Sequence, residues 1–195
     1  MATKEDILEQ IVEEYLLHLG YFARHNIKFL LRPDHPDYIG NQHSNHRDID
    51  VLAYHPSRSG HERVIAVSCK SWQGGFNPAS ELRHIELGQV VRGREAWKSF
   101  RELIVPIWAD AFTSKIRSET GHEEFTYILA VTHVVGSKEP WEGNANFREK
   151  LGGNPIRVLD LREMLGSIAP GLGTTLASTE VGRMLQLFAA AGIGI

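Results

Sequence analysis

A single cysteine, Cys69, is present in 195 residues, so no disulfide can form within the chain and a reducing, cytoplasmic setting is expected. No apolar run approaches the roughly 20 residues that cross a bilayer. The opening "MATKEDILEQ" lacks the apolar core of a signal peptide. Positive charge is not in excess either: 21 Lys and Arg face 24 Asp and Glu, for a net charge of −3, so bulk electrostatics does not mark a nucleic-acid binder. The bases do gather locally, at Arg83, Arg92, Arg94, Lys98, Arg101, Lys115 and Arg117. The chain holds no G-x-x-x-x-G-K-[ST] loop, no G-x-G-x-x-G after a strand and no G-x-S-x-G elbow, which sets aside nucleotide sites and serine hydrolases of those types.

The content that remains is that of one globular domain spanning residues 1–195, with a core over 5–168 and a helical extension over 174–195. In "EDILEQIVEEYLLHLGYF" the residues Ile7, Leu8, Ile11, Val12, Tyr15, Leu16 and Leu19 mark one helical face, closed by Gly20. "NIKFLL", "DIDVLAY", "RVIAVSC", "FTYILAVTHVV" and "PIRVLDL" read as strands. A helix capped by Ser80 is expected from about Glu81 to Phe100, a second over "PIWADAFTSKIRS", and closing helices over "LREMLGSI" and "STEVGRMLQLFAAAGI". The order α-β-β-β-α-(α)-β-β-α, with an extra C-terminal helix, predicts an α/β domain built on a mixed sheet. The apolar face of the last helix suits packing on the domain or on a second copy, hence a homodimer.

Charges stand out on the otherwise apolar "HRDIDVLAY" and "RVIAVSCKSW". Buried charges are costly unless paired or metal-bound. If these strands pair antiparallel, Asp50 and Lys70 meet near one end. Alternation then places Asp48 with Asp50, and Ser68 with Lys70, on shared faces. A carboxylate beside a backbone carbonyl offers hard oxygens suited to Mg²⁺, and a neighbouring lysine can orient water and offset charge on a phosphate. Cys69 should point away from Lys70 into the core. His35, His43 and His46 crowd the loop before Asp48 without Cys partners or tight zinc spacing, so His46 and Arg47 are better placed to contact phosphate.

Asp50, some twenty residues ahead of Ser68-Cys69-Lys70, resembles the metal-ligand and lysine pair of the PD-(D/E)xK nuclease superfamily. "LEQIVEEYLLHLGY", with Glu9 at the helix glutamate, is similar to the first helix of Mrr-type restriction endonucleases. "SCKSW" is similar to their catalytic strand, and "PIRVLDLREML" to the strand and helix that close their domain. The resemblance implies a restriction-endonuclease-like fold and a Mg²⁺- or Mn²⁺-dependent endonuclease acting on DNA, with RNA as the other possible substrate. It implies metal ligation by Asp50 and the Cys69 carbonyl, support from Asp48, and water activation by Lys70. Ser68 stands where members of the family carry Glu, Asp or Gln. Some relatives supply that acid from the next helix, about fourteen residues past the lysine, an offset that lands on His84 with Glu81 and Glu86 on either side. Glu86 is the preferred candidate, with Gln89 one turn further on and Trp72 at the border of the substrate. Serine at 68 also leaves open a catalytically silent module of this fold that binds nucleic acid or a protein. A remoter alternative is a metal protein built on the histidine loop.

Overall fold

The computed structural model describes residues 7–39, 46–173 and 175–193. His43 lies outside them. Helix α1 (Ile7–His18) leads into strands β1 (Phe22–Phe29), β2 (Arg47–Tyr54) and β3 (Val64–Lys70), then helix α2 (Pro78–Glu86). A small hairpin, β4 (Val90–Val91) and β5 (Arg94–Glu95), precedes helices α3 (Arg101–Ile104) and α4 (Pro106–Thr120). Strand β6 (Thr126–Val131), short helices α5 (Glu139–Glu142) and α6 (Ala145–Lys150), and strand β7 (Ile156–Asp160) follow; α7 (Leu161–Ile168) and α8 (Glu180–Ala190) close the fold. Among the described residues no helix is long and apolar enough to cross a membrane.

The protein is an α/β fold around a five-stranded mixed sheet, β1-β2-β3-β6-β7, flanked by helices. The first three strands pair antiparallel, whereas β6 and β7 run parallel to β3. The centre of the sheet is covered on both faces, so β6 is buried at every residue, as a parallel strand between helical layers requires. Alternation along β3 sends Val64 and Ala66 into one layer with Leu103, Trp108 and Phe112, and Ile65 and Val67 into the other with Val12, Leu16 and Met164.

That alternation breaks at one place. Ile49 packs in the first layer and Val51 in the second, although they are two residues apart on β2. The register with β1 has its gap at the same point, between His25↔Val51 and Ile27↔Ile49, where Asn26 adopts φ +52°. The two strands therefore turn over opposite each other, β1 at Asn26 and β2 at Asp50, which breaks the strict alternation expected to put Asp48 and Asp50 on one face.

The sequence reading needs correction between residues 81 and 100. Helix α2 ends at Glu86 and is capped by Asn77, which accepts the Ser80 N–H at 3.0 Å, rather than by Ser80. Gly88 turns the chain at φ +60°, and Arg92 and Gly93, at +54° and +77°, form a tight hairpin turn with two left-handed residues. Strand β1 also starts earlier than "NIKFLL", at Phe22. Helices α5 and α6 were not expected. Helix α8 does pack on the domain, through Val181 and Leu185, and leaves Leu187 and Phe188 on the surface.

Candidate active site

A cavity of about 290 Å³ opens at the end of β2 and β3, on the face covered by α3 and α4. Its floor comes from Asp50, Ser68 and Lys70, exposed Asp48 lies at its edge, and its walls include Arg47, Trp72, Arg94, Lys98, Arg101, Glu102 and Trp108. The strands deliver the floor for a simple reason. The β2–β3 pairing begins at Val51↔Val67 and stops short of Asp50. The Cys69 N–H, on the same edge as that of Val67, thus loses its strand partner, and Asp50 Oδ2 accepts it instead at 2.5 Å.

Lys70 Nζ donates to Ser68 Oγ at 2.8 Å and to the Cys69 carbonyl at 3.2 Å, which pins the ammonium over the end of β3. Burial pushes the Asp50 carboxyl above its ordinary pKa, opposed by attraction to Lys70 and by the Cys69 N–H, with Asp48 and Glu102 adding to the rise. The Cys69 side chain packs in the opposite layer, away from Lys70.

Glu102 is the residue that sequence reasoning missed. Phe100 and Leu103 are fully buried, three residues apart, and fix the four-residue helix α3 against the core. Arg101 and Glu102, between them, face the cavity. Glu102 Oε1 accepts the Tyr127 hydroxyl at 2.6 Å. Tyr127 is buried on β6 beside Ser68, and burial, followed by the nearby Glu102 charge, holds its phenol well above its ordinary pKa. The phenol is therefore a fixed donor that orients the carboxylate.

The proposed helix acids lie elsewhere. Glu81 is 3% exposed and does not line the cavity; its Oε1 accepts from both terminal nitrogens of Arg92 at 2.9 Å. The Arg92 guanidinium in turn lies 3.7 Å from the Trp72 ring centroid, so Trp72 borders the cavity with that ring contact already taken. This clasp holds Arg92 in its left-handed conformation. Glu86 is exposed at the end of α2 and lines a separate pocket with Leu82, Ile85 and Phe147. Gln89 is exposed beyond the end of the helix, where its backbone serves His84 and Ala96. Glu9 sits on α1, whose buried residues cover the opposite layer. His46 is exposed and lines a different surface pocket, while Arg47 lines the cavity. The structure thus brings together Asp48, Asp50, Ser68, Cys69, Lys70, Arg47 and Trp72, and leaves Glu9, His46, Glu81, Glu86 and Gln89 outside.

Among the described residues no three His, Cys, Asp or Glu side chains gather as a ready cage for an ion. Magnesium does not need one, since it binds through one or two carboxylates and keeps several waters. Asp50 and Glu102 each use one oxygen in a hydrogen bond, to Cys69 N–H and Tyr127 OH, and the other carboxylate oxygens Oδ1 and Oε2 have no partner among the described residues. Two such oxygens, with the Cys69 carbonyl that already accepts from Lys70, are the hard-oxygen donors that suit a divalent cation.

No family model matches the chain, and neither a curated protein nor a solved structure is significantly similar to it.

Proposed function

We propose that the chain is a Mg²⁺-dependent nuclease of the PD-(D/E)xK kind, with a restriction-endonuclease-like fold, hydrolysing phosphodiester bonds in DNA. The observation that carries this reading is the convergence of Asp50, Glu102 and Lys70 on one cavity walled by cations. Asp50, Glu102 and the Cys69 carbonyl would hold the metal, with Asp48 near the rim. A divalent cation bound there supplies charge neutralisation to the phosphate and acidifies water. The chain's own groups do the rest. The β2–β3 end fixes Asp50 through Cys69 N–H, Tyr127 orients Glu102, and Lys70 presents its ammonium where a phosphoryl oxygen gains charge. Glu102 takes the place of the acid absent at Ser68, in preference to Glu81 and Glu86.

Cleavage of supercoiled plasmid and single-stranded DNA with Mg²⁺ or Mn²⁺ tests the reading, wild type beside Lys70→Ala. Metal-dependent cleavage lost in the variant is the expected result; cleavage that survives it refutes the assignment. One observation favours a second reading, a silent nucleic-acid-binding module of the same fold. Lys70 already spends two donors on Ser68 and Cys69, as a purely structural lysine would. Binding without cleavage of any of these substrates would select it.

A further inference from the structure

Arg47, Arg94 and Arg101 reach the cavity from three separate elements, β2, β5 and α3. Arg47 and Arg101 are held against the same indole: their guanidinium carbons lie 5.8 and 5.4 Å from the Trp108 ring centroid, and Arg101 is also 5.8 Å from that of Trp97. Aromatic faces fix a guanidinium without neutralising it. Elsewhere Arg24, Arg32, Arg58, Arg92 and Arg117 pair with carboxylates, and the arginines without an ion pair, such as Arg83, Arg148, Arg157 and Arg162, are exposed to water. The cavity arginines form no ion pair among the described residues, and the Nε atoms of Arg47 and Arg101 are buried without any hydrogen-bond partner. Lys98, on the same wall, is different, because Glu95 offsets it. Converging cations with unmet donors destabilise a fold unless an anion completes them.

The size and charge of the site narrow that anion. A cavity of about 290 Å³ is at the small end of ligand pockets and has room for one nucleotide of a strand at a time. An internal phosphodiester carries one negative charge. A terminal phosphate monoester carries about −1.5 to −2 at pH 7 and three acceptor oxygens, the better match to three guanidinium forks that form no ion pair among the described residues. We propose that Arg47, Arg94 and Arg101 form a subsite for the terminal phosphate of a nucleic-acid strand, seated beside Asp50 and Glu102. The identity of the strand rests on the nuclease reading. The subsite adds a preference for phosphorylated strand ends to cleavage at internal bonds.

The test is binding in EDTA, which reads the subsite without cleavage. Fluorescent single-stranded 12-mers with a 5′-phosphate, a 3′-phosphate or neither are titrated with wild type, Arg47→Ala, Arg101→Ala, Arg101→Lys and, as a surface control, Arg24→Ala. The expected result is at least tenfold tighter binding of one phosphorylated end. That preference should fall below threefold in Arg47→Ala and Arg101→Ala, return in part in Arg101→Lys, and persist in Arg24→Ala. Thermal melts establish that each variant is folded, and Arg101→Lys serves if the alanine variants are not. Equal wild-type binding with and without an end phosphate overturns the proposal, including the case in which Arg101→Ala weakens all strands alike, because that pattern belongs to internal phosphates. End preference without Mg²⁺-dependent cleavage supports the subsite and retires only the nuclease reading.

Discussion

Replacing Asp50 by Asn should make the protein more stable and leave it unable to use metal. Burial is the largest influence on this carboxyl and raises its pKa in the folded state. A raised carboxyl pKa means that the folded protein holds the proton more tightly than the unfolded chain. The resulting stability is complete below the unfolded value of about 3.9 and is lost as pH rises through the folded value. At pH 7 the ionised Asp50 is therefore a net cost, even with Lys70 nearby. Asparagine keeps an oxygen for the Cys69 N–H and sheds the charge. A higher melting temperature for Asp50→Asn than for wild type in EDTA at pH 7 is therefore expected.

Magnesium should reverse that order. Ligand at a hundred times its Kd stabilises the folded state by about 2.7 kcal/mol, which lifts wild type by roughly 5–10 °C and the variant by much less. Calorimetric melts of both proteins at pH 7 and pH 4, in EDTA and in excess Mg²⁺, read all of this. The Asn advantage in EDTA should shrink toward pH 4, where Asp50 takes up its proton in wild type. A variant that melts below wild type in EDTA at pH 7 would make Asp50 a structural acid. An equal Mg²⁺ shift in both proteins would place the metal elsewhere. Either result refutes the reasoning.

Three further substitutions separate catalysis from architecture. Glu102→Gln keeps an acceptor for the Tyr127 hydroxyl but removes the second carboxylate; kcat should fall about 10²–10³-fold with a melting temperature within about 2 °C of wild type. Glu81→Gln should do the opposite, weakening the buried clasp on Arg92 by about 1–3 kcal/mol in denaturant titrations while kcat of the folded enzyme changes less than threefold. Lys70→Ala removes the attraction that holds the Asp50 carboxyl down, so beyond the loss of rate, the acid limb of Mg²⁺ binding followed by calorimetry should move to higher pH.

Asp50 and Lys70 were legible because the information that places them is local. Two apolar runs of period two, joined by a short connector, fix which ends meet, and a charge at each end is conspicuous against that background. Glu102 was not legible, because its position depends on how the chain travels from Lys70 to Phe100. Read as one helix from Glu81 to Phe100, that stretch sends residue 102 past the end of a rigid rod. Ended at Glu86 and folded back through β4 and β5, it returns α3 to the cavity. The signals were present in Gly88 and in "VVRGRE", where Arg92-Gly93 makes a hairpin turn between two short strands. They were outweighed by the helix-like spacing of Leu82, Ile85 and Gln89, although Gln89 lies past the last helical residue. The offset argument for Glu81 and Glu86 failed to reach the cavity for the same reason: it assumed the rod.

Ser68 and Glu102 are best understood as one unit. Ser68 lies on the same face of β3 as Lys70, is 9% exposed, and neighbours the Tyr127 hydroxyl that orients Glu102. Ser68 and Glu102 both reach the Tyr127 hydroxyl and both line the cavity, so a longer acid carried by the strand would crowd the acid carried by α3. That makes the exchange testable. Ser68→Glu alone should overpack the floor and destabilise by about 1–3 kcal/mol. Glu102→Ala alone should abolish cleavage and leave space behind. The double variant restores two carboxylates and relieves the crowding, so it should be more stable than Ser68→Glu and recover part of the activity that Glu102→Ala lacks, a coupling between neighbours that additivity does not give. A folded double variant no more active than Glu102→Ala would show that Glu102 does something at this site that a strand carboxylate cannot.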